Sequence, residues 1–175
     1  LGILSHLYLS LSLPSLSNTL IHSPGTTSWT ADSLLSQILS ARTNLALGPT
    51  AKYQESYYVY EEVKGMQGGR GEATLAGVSV SQALLGRWEE SNQATEEALE
   101  VNPTHPTSLA NSIALALHCA KPPAVTAANL AFVLIPSPFD KLQEADPNHP
   151  MLLDLAAKES AFDEAASKFF VSVSA

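Results

Sequence analysis

The chain has 175 residues, 45% of them hydrophobic and only 15% charged, with a formal net charge of −8. That length suits one or two compact domains, or about four or five helix-pair repeats, and nine Lys plus Arg are too few for the basic stripe of a nucleic-acid binder. One cysteine, Cys119, excludes an intramolecular disulfide and any multi-cysteine metal site, and suits a reducing compartment.

The run from Leu1 to Ser28 carries no charge and is rich in Leu and Ser. A signal peptide or membrane span would want a basic flank and a purer apolar core. Here Ser5, His6, Ser10, Ser12, Pro14, Ser15, Ser17 and Asn18 interrupt it. A helical hairpin broken at Pro14 fits better, with Ile3, Leu4, Leu7 and Leu11 on one face and Leu16 and Leu20 after the break. A second helical pair is expected over 30–66. Its Tyr53, Tyr57 and Tyr60 have helical spacing and, with Tyr58, are expected in the repeat core with their hydroxyls at its edge, not in a ligand cage.

Gly65-Met66-Gln67-Gly68-Gly69-Arg70-Gly71 superficially resembles a phosphate-binding loop. It lacks the Gly-Lys-Ser/Thr ending and no strand pattern precedes it, so a flexible linker is expected. A third pair, 72–102, contains the most informative stretch. In Leu85-Gly86-Arg87-Trp88-Glu89-Glu90, Gly86 makes a tight turn and Trp88 opens the second helix. Ala98 and Leu99 pack that helix back on the first, and Pro103 ends the unit. This is the second half of a tetratricopeptide repeat. Such a repeat cannot bury its apolar face alone, so neighbours are expected at a period of about 34 residues.

One step forward from Trp88 lands on Pro122, in Ala120-Lys121-Pro122-Pro123, another helix–helix turn. One step back lands near Tyr53 and a further step near Pro14. The expected array is therefore four units, roughly 1–26, 30–66, 72–102 and 106–145, with a capping helix over about 150–170: one all-α, tetratricopeptide-like α-solenoid domain. An internal echo supports it. Pro103-Thr104-His105-Pro106 recurs as Pro147-Asn148-His149-Pro150, and an apolar helix-like run follows each. The echo is about ten residues longer than the period, and the excess coincides with 131–140, Ala-Phe-Val-Leu-Ile-Pro-Ser-Pro-Phe-Asp. Two prolines there would break a helix interior, so an inserted apolar loop is expected.

No constellation carries chemistry. The five histidines, His6, His22, His105, His118 and His149, show no ligand spacing. His105 and His149 sit beside prolines at helix starts, where a structural or capping role is expected. His118 and Cys119 are adjacent on a helix, about 100° apart, and do not face each other as a base and nucleophile would. No catalytic, metal or cofactor site is expected, and the protein is expected not to be an enzyme. Glu89, Glu90, Glu96, Glu97 and Glu100 decorate one helix as a solvated face. Glu97 and Glu100 lie near the helix C-terminus, where the dipole disfavours negative charge, so Glu96, Glu97 and Glu100 are the candidate face for a basic segment of a partner. The first helices of the four units hold one basic residue, Arg42, too little for the Lys/Arg clamp of a co-chaperone. Another tetratricopeptide adaptor is the alternative reading.

The ordered set of motifs resembles one family. Gly86-Arg87-Trp88-Glu89-Glu90, the run from Asn111 to His118, Lys121-Pro122-Pro123-Ala124-Val125-Thr126, Asp146-Pro147-Asn148-His149-Pro150 and Ala157-Lys158-Glu159-Ser160-Ala161-Phe162-Asp163 together look like the C-terminal half of the coatomer epsilon subunit. Upstream, 54–62 (Gln-Glu-Ser-Tyr-Tyr-Val-Tyr-Glu-Glu) resembles that family's double-tyrosine helix, and 29–35 and 7–10 fit more loosely. The family would have further repeats before Leu1, no decapeptide at 131–140 and a less apolar tail than 169–175, so a truncated or misassembled reading of the gene is expected. The resemblance implies a non-enzymatic subunit of the COPI vesicle coat, an α-solenoid embracing the C-terminal region of the coatomer alpha subunit. It implies work in Golgi-to-ER and intra-Golgi vesicle transport, in the cytoplasm and on Golgi membranes and coated vesicles. Membrane association would be peripheral, through the complex only, and no cofactor or nucleic acid is implied.

Overall fold

The computed structural model describes residues 1–30, 33–119 and 137–169. Among these residues there are ten helices and no strand, an all-α fold built of tetratricopeptide-like helical hairpins. The chain divides into two compact units, Leu1–Ala120 and Lys121–Ala175.

In the first unit α1 (Gly2–Ser10) and α2 (Pro14–Ile21) form a hairpin, as Pro14 at the first position of α2 dictates. Its buried side differs from expectation. Ile3, Leu4, Leu7, Leu11 and Leu16 are exposed, Ile3 to 81%. Besides Ile21, the buried positions are Ser5 and Ser17, whose hydroxyls hydrogen bond at 2.6 Å, and Ser17 bonds in turn to Thr43 at 2.8 Å. Small side chains let these helices approach closely, and their hydroxyls satisfy one another, so the polar stripe points inward. A short helix, α3 (Pro24–Thr30), follows and spans the expected boundary between the first two units. The Thr30 hydroxyl donates to the Thr26 carbonyl and the Thr26 hydroxyl to the Leu20 carbonyl, tying it to α2.

Helices α4 (Leu34–Leu47) and α5 (Thr50–Gly65) form the next hairpin, and α6 (Glu72–Leu84) and α7 (Trp88–Val101) the third. Each helix packs on its neighbours in sequence: α4 on α5, α5 on α6, α6 on α7, and α8 (Pro106–Cys119) on both α6 and α7. The central core joins Ala41, Tyr60, Val78 and Ala94, one from each helix α4 to α7, with Leu45, Tyr57 and Val59 packed against it. Between α6 and α7 a second hydroxyl cluster replaces hydrocarbon: Ser79 bonds to Thr95 at 2.6 Å and the Ser91 hydroxyl donates to the Ser79 carbonyl at 2.8 Å.

The turn after α6 is a Schellman motif. The Arg87 N–H donates to the Gln82 carbonyl and the Gly86 N–H to the Ala83 carbonyl, both at 2.9 Å. Gly86 has φ +77°, the left-handed conformation a glycine reaches without strain. Residues 65–71, expected to be a flexible linker, form a defined turn instead. The Gly69 N–H donates to the Met66 carbonyl, and a Cβ on Gly69 would collide with the Val63 carbonyl, so only glycine fits. Arg70 then pairs with Glu97 on α7, pinning the turn.

The second unit holds α9 (Pro138–Ala145) and α10 (Pro150–Ser167). Residues 137–140, the end of the expected insert, begin α9 rather than a loop. Ser137 and Asp140 close a reciprocal capping box and Pro138 takes the first turn, where a proline starts a helix instead of breaking it. The rest of that decapeptide, and Pro122, lie outside the described residues.

The echoed joints share one geometry. Asn102 and Asp146 each accept, through Oδ1, the N–H two residues on, at 3.1 Å in both cases. His105 Nδ1 accepts the Ser108 N–H and lies 2.8 Å from the Ser108 hydroxyl, and His149 Nδ1 accepts the Met151 N–H. Pro106 and Pro150 follow as first helical residues. Both histidines are thus helix caps.

Candidate partner-binding groove

A groove of about 480 Å3 opens within the first unit. One wall is α6, whose Ala73, Ala76, Gly77, Val80 and Leu84 recur at helical spacing. Leu45 and Ala46 of α4 and Leu9 of α1 supply apolar surface opposite, and His105 and Thr107 close the α8 end. The small residues of α6 set its depth. A Cβ on Gly77 would fall within 3.0 Å of three carbons of the Tyr60 ring, so the absence of a side chain there lets α5 and α6 meet.

Away from His105 and Thr107, the polar side chains in this lining are Arg42 and Tyr60. Arg42 is exposed, and among the described residues it has no carboxylate partner. Tyr60 is only 5% exposed; burial raises the pKa of its phenol, and the positive charge of Arg42 opposes that rise.

The other tyrosines divide. Tyr57 packs on the core beside Tyr58, with Arg87 over its ring at 5.6 Å; Tyr58 is exposed; Tyr53 is half-buried, its hydroxyl against Gly48. Ala98 is fully buried, Leu99 half-buried and Pro103 exposed. Trp88 is half-buried, and the His118 ring lies on it with centroids 3.7 Å apart. That stacking occupies His118, while Cys119 is an exposed free thiol. Among the described residues no group of His, Cys, Asp and Glu is arranged to hold a metal ion, and no helix is long and apolar enough to cross a membrane.

The acidic residues of α7 separate by role. Glu97 is held inside the unit, by Lys64 of α5 at 3.3 Å and by Arg70. These two cations offset a carboxylate poorly placed against the helix dipole. Glu96 and Glu100 are exposed; Glu96 accepts from Asn92 at 2.7 Å and borders a second depression with Trp88, Leu115 and Cys119.

Sequence reasoning singled out Arg42 and Tyr60 separately and did not bring them together, since they lie on different helices. The stripe 73, 76, 77, 80 and 84 was the available signal for the groove wall.

Compared with known protein families, residues 25–170 match the model of the coatomer epsilon subunit.

Proposed function

The chain belongs to the coatomer epsilon subunit family, a structural component of the COPI vesicle coat, and from that premise we propose that it holds the C-terminal region of the coatomer alpha subunit. The observation that carries this reading is the family match over 25–170, which takes in every residue lining the groove except Leu9. An apolar groove in a stack of hairpins offers a partner segment a long surface to bury, with the few polar groups setting orientation. The chain then acts in Golgi-to-ER and intra-Golgi transport, reaching Golgi membranes peripherally through the complex and performing no catalysis of its own. Trp88, Ala98, Leu99 and the tyrosines keep the hairpins packed, and Gly86 and Pro103 set their joints. Glu96 and Glu100, with Glu97 behind them, form a second face toward a basic segment of the coat.

The test is co-expression with the C-terminal region of the alpha subunit, followed by size-exclusion chromatography. Co-elution at equal stoichiometry is expected. A chain that is folded by circular dichroism yet elutes alone would defeat the reading.

A further inference from the structure

We infer that Arg42 and Tyr60 together form a receptor for a side-chain carboxylate, an Asp or Glu carried by an otherwise apolar segment of the partner. The inference rests on the binding reading above and specifies the chemistry of its groove.

Both groups are donors. The Arg42 guanidinium offers a planar fork suited to a carboxylate, and the Tyr60 hydroxyl has no protein hydrogen-bond partner among the described residues. The phenol reaches the open groove from a ring buried in the core, and an ionised carboxylate is purely an acceptor, so one oxygen for each donor satisfies both. Both side chains line the same groove. Among the described residues Arg42 is also the only formally charged side chain lining the groove, in a chain whose net charge is −8. The global field therefore does not draw an acidic partner here; the local cation does.

The charge count selects the ligand. One guanidinium and one neutral hydroxyl balance a single negative charge, too little for a phosphate. A terminal carboxylate is ordinarily held by several cations. Apolar lining from α1, α4 and α6 around the donors suits a segment that presents one acidic side chain among apolar ones.

The experiment is isothermal titration of the full chain with the C-terminal region of the coatomer alpha subunit, at low and at physiological salt. Arg42→Gln is expected to weaken binding by about tenfold or more and to reduce its salt dependence, and Tyr60→Phe by several-fold. Arg42→Lys, which keeps the charge and loses the fork, should fall between. One partner Asp or Glu, changed to Asn or Gln, should weaken wild type by the same factor and Arg42→Gln no further. Unchanged affinity for both Arg42→Gln and Tyr60→Phe overturns the inference and leaves the coat assignment standing. So does loss of binding on amidating the partner's C-terminus, which would make the ligand a terminal carboxylate. If folded wild type does not bind, the coat reading fails and takes this inference with it.

Discussion

Replacing Gly77 by alanine puts the packing of the groove on trial, because two effects of opposite sign meet at one methyl group. Gly77 lies inside α6, where glycine-to-alanine ordinarily stabilises a helix by about 1 kcal/mol. Here the new Cβ would lie within 3.0 Å of Cδ1, Cε1 and Cζ of Tyr60. The ring cannot swing away freely, since Tyr60 is buried in the core with Ala41, Val78 and Ala94. Overpacking of this kind costs about 1–3 kcal/mol, so the clash should cancel or outweigh the propensity gain and leave a net loss of up to about 2 kcal/mol. Urea denaturation followed by circular dichroism should show the midpoint falling, by up to about 1 M at an ordinary slope. Two controls isolate the cause. At Gly65, the last residue of α5, a Cβ meets nothing, and Gly65→Ala should be neutral or stabilising. In a Tyr60→Leu background Gly77→Ala should become stabilising, because the obstructing ring is gone. A higher midpoint for Gly77→Ala in the wild-type chain would refute the close α5–α6 approach and the groove built on it.

The remaining predictions concern joints and charge. Gly86→Ala should cost about 1–2 kcal/mol in the same denaturation assay, since φ +77° strains any residue with a Cβ even in open space. His149→Ala should lower stability by about 1 kcal/mol through loss of the α10 cap, and His149→Asn should restore most of it. Burial holds the Tyr60 phenol protonated above its ordinary pKa of 10.0, so the native state keeps a proton that the unfolded state loses. The associated stability is intact below pH 10 and declines as pH rises beyond it, and Tyr60→Phe should flatten that decline in urea midpoints taken from pH 8 to 11. Glu96→Lys with Glu100→Lys should weaken association with a basic coat segment while leaving the fold intact, whereas Glu97→Lys should also destabilise the chain by removing the partner of Lys64 and Arg70; equal effects on folding from all three would contradict the separation of roles.

What the amino-acid order made legible was punctuation. Gly86 announces a left-handed turn and Pro106 and Pro150 announce helix starts, because these residues restrict the backbone locally, whatever surrounds them. The echo around His105 and His149 was legible for the same reason, with an Asx turn, a cap and a proline all within five residues. Burial was less so. Periodicity assigns α1 a leucine face, yet the structure buries Ser5 and Ser17, because close helix approach and mutual hydroxyl bonding are properties of a pair of helices. The 65–71 segment looked slack because glycines suit both tethers and crowded turns; only the Val63 carbonyl beside Gly69 decides between them. The groove was illegible as a whole. Arg42, Tyr60 and the α6 stripe belong to three helices, and nothing local ties them together.

The most direct measurement of the central claim is hydrogen–deuterium exchange of the chain with and without the C-terminal region of the alpha subunit. Slowed exchange is expected in peptides covering the groove helices α4 and α6, with protection lost in Arg42→Gln at matched concentration. A stable complex in which those peptides exchange as in the free chain, and protection falls elsewhere, would contradict the account.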